Sequence, residues 1–422
     1  MKAPVDTPRT ADLPVNKPTR FPMALSDLRG FARLGVDATV GITDLVEAVH
    51  HSIETKWGVA DAASGGRTSG ITGFVYRRVR GVTRLVGHGL DAALGVLSDR
   101  VLPAQDDAVV AEQREAVRSA VNGLWGDHLA DSGNPLALPM SLRVSGRALD
   151  LALPLAGQLP AAASGRVLLL VHGLCMNDLQ WSRHGHDHGQ MLAAELGVSA
   201  LYLHYNTGRH VSQNGRELAA LLETLVDRWP VPVQELTLIG HSMGGLVLRS
   251  ACHVGQESSL AWLGRLRALV FLGTPHHGAP LERGGRLLDA ALELSSFVRP
   301  FARLGRSRSA GITDLRYGNL QDADWQGRDR HAQKRDDRRP TPLPAGVAVH
   351  LVAATTAECE TDLSARLLGD GLVPLASALG RHNDPALALR VADSDRWVVN
   401  GANHWDLLDH PEAAQALRRW MK

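Results

Sequence analysis

Apolar residues recur along this chain in two rhythms, and the change between them falls near residue 135. In the first part Leu25, Leu28, Phe31, Ile42, Leu45 and Val49 fall near three- and four-residue spacings. A second stripe runs through Ile71, Phe74, Val75, Val79, Val82, Leu85, Val86, Leu90, Leu94 and Leu97. Such spacing puts the apolar side chains on one face of a helix, so each stripe predicts one. The sequence SGGRTSG at 64–70 separates them as a loop. Val110, Val117, Val121, Leu124 and Trp125 predict a third helix, which Asn134-Pro135 ends. Residues 1–22, rich in Pro and Thr without an apolar core, read as a flexible leader and not as a secretory signal.

From residue 136 short apolar runs alternate with amphipathic segments. Residues 140–144 and 148–153 predict a hairpin around Ser145-Gly146. Runs at 167–171, 200–204, 236–239, 269–272, 347–353 and 396–399 predict further strands, and 215–229 and 243–252 are among the helices between them. Continuous apolar runs suit strands buried on both faces, and strand–helix alternation predicts an α/β fold, a mostly parallel sheet covered by helices on both sides. The expected organisation is the leader, an accessory or docking helical region at 23–135, and an α/β domain at 136–422. A long insertion at about 279–345 interrupts that domain after a strand and reads as a lid. It holds a helix candidate at 286–301 and a mixed-charge, solvated run toward residue 339.

Composition narrows the partners. With 45 Lys+Arg against 44 Asp+Glu, the chain lacks the basic excess of a nucleic-acid protein. No run approaches the ~18 apolar residues of a membrane-spanning helix, so no transmembrane segment is expected. The three cysteines, Cys175, Cys252 and Cys359, are odd in number and widely spaced, which fits reduced thiols and a cytoplasmic location. The early helices are rich in glycine, including Gly30, Gly73, Gly81, Gly87 and Gly95, and each interior glycine costs a helix about 1 kcal/mol relative to alanine. Close helix packing would offset that cost. So would docking on a lipid or polymer surface, because Arg77, Arg78, Arg80 and Arg84 beside the apolar stripe suit anionic headgroups.

The sharpest chemical signal is Gly240-His241-Ser242-Met243-Gly244, a G-x-S-x-G turn between the apolar run LTLIG and the helical run MGGLVLRSAC. A nucleophilic serine must be lifted out of a tight turn, and Gly240 and Gly244 leave room for strand and helix to approach. The helix start then aims backbone N–H groups at developing negative charge. Serine also needs a base held by a carboxylate. In strand–turn–helix hydrolases these follow in the order acid, then histidine. Asp370, in GDGLVP at 369–374, is the best acid, with Asp362 and Asp406 as rivals; His404, in GANHW at 401–405, is the best base, with His382 as rival. The oxyanion hole is expected from the amides of Leu174, in the HGL turn at 172–174, and Met243, with His172 shaping the turn. The run HGHDH at 184–188 could hold a metal but reads better as a cleft-lining loop; His276 and His277 read as cleft floor, and Cys175 lacks the setting of a nucleophile. No metal and no cofactor are expected.

With HGL, GHSMGG at 240–245, LGTPHHG at 272–278, GDGLVP and NHW, residues 136–422 resemble the lipase/esterase branch of the α/β-hydrolase superfamily, including bacterial lipases and the GPI inositol-deacylase-like group. The resemblance implies a Ser242–Asp370–His404 triad acting on carboxylic esters, often of fatty acids. Two other readings share the motifs: an acyltransferase that passes the acyl group to an alcohol, and a lipid-surface scaffold carrying an idle hydrolase domain.

Overall fold

Leucine- and valine-rich strands assemble into one eight-stranded sheet in the order β2-β1-β4-β3-β5-β6-β7-β8. The computed structural model describes residues 24–56, 67–68, 70–100, 108–279, 309–328, 336–358 and 369–421. The strands are β1 (Ser141–Val144), β2 (Arg147–Ala148), β3 (Arg166–Val171), β4 (Ser199–His204), β5 (Glu235–His241), β6 (Leu266–Leu272), β7 (Ala348–Thr355) and β8 (Arg396–Asn400). β3 to β8 run parallel, while β1 lies antiparallel to β2 and β4.

Three helices precede the sheet: α1 (Leu25–Lys56), α2 (Gly70–Arg100) and α3 (Ala108–Asp131). Those that cover it include α4 (His188–Leu196), α5 (Val211–Arg228), α6 (Met243–Glu257), α7 (Ala310–Tyr317) and α8 (Pro411–Met421). Strand side chains alternate between the faces. Leu169 and Val171 point into one core with Leu218 and Leu222 of α5 and Leu246 of α6; Leu168 and Leu170 point into the other with Leu192 of α4 and Leu417 of α8. This is the α/β-hydrolase architecture, with a helical region ahead of it. No helix of the described residues is long and apolar enough to cross a membrane.

Three features differ from the pattern read along the chain. First, the second hairpin strand stops at Ala148 instead of running to residue 153, because the Asp150 carboxylate accepts the Ala152 amide at 2.9 Å and turns the chain. Second, the insertion is packed onto the domain at α7. Ala310, Asp314 and Leu315 of α7 are buried, and the Ser309 hydroxyl donates to Gly123 O at 2.7 Å. Arg338, at the edge of the mixed-charge run, is not a solvated residue. Its guanidinium is enclosed, paired with Asp336 and donating to His276 O at 3.1 Å and Gly318 O at 3.0 Å. The helix candidate at 286–301 and the leader lie outside the described residues.

Third, α3 is built into the hydrolase fold and does not stand apart from it. A methyl at Gly123 would overlap Cys175 Sγ, and one at Gly126 would overlap Asn206 Oδ1. Only glycine lets the helix come this close. The helix loses regular geometry at Trp125 (φ −136°, ψ 20°), and the next carbonyl, Gly126 O, accepts Asn206 Nδ2 at 2.8 Å. Leu34 of α1, Val121 and Leu124 of α3 and Leu136 form a small core of their own, and Ile312 of α7 packs on it.

Candidate active site

The chain turns from β5 into α6 at Ser242, whose backbone lies at φ 54°, ψ −124°. A side-chain-bearing residue there costs about 1–3 kcal/mol, held by its surroundings. The Ser242 amide donates to Leu272 O at 2.8 Å, and Ser242 O accepts the Gly245 amide at 3.1 Å. A Cβ on Gly240 would lie 2.6 Å from Gly245 Cα, and one on Gly244 would lie 2.7 Å from His172 O, so both glycines are needed for the close approach.

The turn after β3 lies against this serine. A Cβ on Gly173 would sit 3.0 Å from Ser242 Cβ. Burial drives the His172 pKa down to about 3, so the ring is neutral, and its Nδ1–H donates to Gly173 O at 2.9 Å. Tyr205 stacks on the ring and donates its hydroxyl to His172 O at 2.8 Å. Cys175 stands at φ 62°, with its amide donated to Thr207 Oγ1 at 3.1 Å, and the Met176 amide goes to Gly173 O at 3.3 Å. Leu174 lies between Gly173 and these committed amides, and Met243 opens α6. The two turns expected to supply oxyanion donors therefore both meet at Ser242. Cys175 is buried and its thiol is pushed up to about 12, so it stays protonated.

Asp370 and His404 are brought together. His404 Nδ1 lies 2.6 Å from Asp370 Oδ2, and both side chains are buried. The other carboxylate oxygen accepts the amides of Leu372 at 2.9 Å and Val373 at 2.7 Å. The His404 amide also donates to Asp370 O at 3.1 Å. His404 Nε2 is buried without a hydrogen-bond partner among the described residues. His241, expected only as part of the elbow, does more. Its Nε2 lies 3.2 Å from His404 O, which ties the serine turn to the histidine loop. Burial first, and the adjacent His404 second, push the His241 pKa well below the usual imidazole range, so it acts as a neutral donor.

The rival groups are engaged elsewhere. Asp406 accepts the Asn403 amide at 2.9 Å and pairs with Arg183 at 3.3 Å. His382 lies 3.1 Å from Asp336, and Asp362 falls outside the described residues. The HGHDH run forms no metal cluster among the described residues. Its histidines have other partners: His184 meets Asp409 at 2.6 Å, and His188 Nε2 meets Leu407 O at 2.9 Å. Asp187 caps α4 and accepts the Tyr202 hydroxyl at 2.6 Å. His276 is fully enclosed beneath the site, beside Arg249.

Two supports of the site belong to no motif in the sequence. Thr207 holds the turn after β3 through Cys175. Behind that turn, His204 lies 3.0 Å from Asp178 and 3.3 Å from Glu115 of α3, and Arg143 lies 3.2 Å from Asp178. Burial raises the Asp178 pKa, but the hydrogen bond from His204 and the charge of Arg143 outweigh it and hold the carboxyl below its ordinary value. The polar run HYNTGRH after β4 is the available signal, since polar residues enclosed at a strand end need partners.

The enclosed histidines set the acid stability. His172 is held at about 3 and His188 at about 4, and His241 and His276 lie well below the usual value, burial being the first cause in each. The unfolded chain takes up these protons near pH ~6.5, whereas the folded chain refuses them. Stability is therefore complete above that pH and falls as the pH drops toward about 4, on the order of 1 kcal/mol per histidine per pH unit. Denaturant midpoints at about pH 7.5 and about pH 5 check this, and equal midpoints would refute it.

A family profile described as a domain of unknown function (DUF7379) matches residues 148–309. Similar solved structures include a Bacillus licheniformis lipase in mature form, 17% identical, covering 62% of this chain and 94% of that one with a TM-score of 0.40. An α/β hydrolase from a metagenome of Moroccan lagoon sediments is 15% identical, covering 61% and 91% with a TM-score of 0.38. A Pyrococcus furiosus esterase is 17% identical, covering 61% and 82% with a TM-score of 0.36. A search of curated proteins found no match to the chain.

Proposed function

We infer that this protein is a serine hydrolase of carboxylic esters, with Ser242 as nucleophile, His404 as base and Asp370 as the carboxylate that orients it. The observation that carries this reading is the strained Ser242 backbone at a strand–helix turn, a conformation that persists only where the fold enforces it. The Asp370–His404 pair supports the assignment, because it leaves Nε2 as the ring atom able to accept a proton.

The chemistry runs in two halves. Ser242 Oγ attacks the ester carbonyl as its proton passes to His404 Nε2. The negative charge on the former carbonyl oxygen is met by the Leu174 and Met243 amides, each such donor contributing roughly 3–4 kcal/mol. Asp370 stabilises the imidazolium without taking its proton. The alcohol leaves with that proton, and water then repeats the sequence on the acyl-serine to release the acid. The expected substrates are esters, including those of fatty acids. Turnover of p-nitrophenyl esters from acetyl to palmitoyl by the full chain tests the reading, with p-nitrophenol released in stoichiometric excess over enzyme. Absence of turnover across the whole series would overturn it.

A further inference from the structure

Nine of the large apolar side chains left exposed among the described residues belong to one helix, α2, between Phe74 and Leu97. At about 100° per residue they fall within an arc of roughly 160°. Val82, near the middle of that arc, is 59% exposed, and Leu85 is 73% exposed. On the opposite side, Arg80 and Leu94 are buried toward α1. The charges are sorted in the same sense. On α2 itself Asp91 is turned toward α1 and held by Arg29 and Arg33, and Arg80 is turned the same way onto Glu47, while Asp37, an exposed acid of the hairpin, belongs to α1. Arg77, Arg78 and Arg84 are exposed and have no carboxylate partner among the described residues. Arg78 covers the Phe74 ring at 5.0 Å, and Arg77 and Arg84 lie beyond the Phe74 edge of the arc. Between residues 72 and 97 no carboxylate is exposed.

We propose that this face of α2 lies on the surface of an anionic phospholipid bilayer, its apolar arc in the headgroup–acyl boundary and its arginines on the phosphates. A wide apolar arc edged by cations alone is the pattern of a helix lying in an interface. The helix does not span, for none of the described helices is apolar enough. A second copy is the poorer occupant. A two-fold contact sets the patch against itself, and the described α2 patch offers no exposed carboxylate to pair with its arginines. The proposal is independent of the hydrolase reading.

The test is vesicle flotation of the full chain with phosphatidylcholine alone and with added phosphatidylglycerol. The chain is expected to float with the anionic vesicles, less with the neutral ones, and less as salt rises. Val82→Asp with Leu85→Asp is expected to abolish flotation. Arg77→Gln with Arg78→Gln and Arg84→Gln is expected to weaken partitioning on the order of a hundredfold, about fivefold for each charge lost. These positions are exposed, so circular dichroism and the melting midpoint are expected to stay as in the parent. Failure of the parent chain to float with either vesicle overturns the proposal, as does undiminished flotation of both variants. A parent dimer that Leu85→Asp converts to a monomer, without flotation, assigns the face to a second copy instead.

Discussion

Ser242→Ala is expected to lower kcat for ester hydrolysis by roughly a millionfold, with KM little changed, because in the mechanism we propose all covalent catalysis passes through one oxygen. The substitution keeps the Cβ, so the turn at φ 54° carries the same backbone cost and the fold is not relieved or further burdened. Any rate left comes from the oxyanion donors and from substrate positioning, which act without the serine. The measurement is turnover of the best p-nitrophenyl ester, with the variant prepared free of parent protein. A variant within about tenfold of the parent would remove Ser242 as nucleophile.

Asp370→Asn is expected to cost about 10⁴-fold in kcat with the melting midpoint nearly unchanged. The local bonding sets the direction. The Leu372 and Val373 amides both donate to Oδ1, so an amide side chain keeps its carbonyl oxygen there and turns its NH₂ toward His404 Nδ1. His404 must then accept at Nδ1 and carry its proton on Nε2, the tautomer that cannot take a proton from Ser242. The loss is one of tautomer, with geometry preserved. A nearly full-rate Asp370→Asn enzyme would show that another carboxylate, or none, serves His404.

The parts of the site legible along the chain are the local ones. Gly240, Ser242 and Gly244 act within one turn, so their spacing carries their geometry. The pairing of Asp370 with His404 is less sharply defined, because Asp406 lies two residues from His404 and competes in sequence. Only in space is Asp406 seen to be occupied by the Asn403 amide and Arg183. The place of α3 is not legible at all. It rests on Gly123 and Gly126, and a glycine that admits a neighbour looks the same in sequence as one that merely weakens a helix. Arg338 escapes sequence reading for a related reason: a mixed-charge run is solvated on average, and the enclosure of Arg338 is set by the carbonyls of His276 and Gly318, distant in the chain. The hairpin strand looks longer in sequence than it is because its apolar alternation continues past Asp150, whose carboxylate decides otherwise.

The close fit of α3 also bears on how such a chain can be divided and how it can have been assembled. The carbonyl of Gly126 is bonded by Asn206, Glu115 meets His204, and Ser309 reaches back to Gly123. A fragment starting at residue 136 would lose the wall behind the turn at Gly173 and bare the groups that now face α3. Helix α3 and the glycines that seat it are therefore no removable attachment. An ancestor lacking them would have needed a different support for that turn, and exchange of this segment between relatives would carry the exchange of the loop after β4 with it.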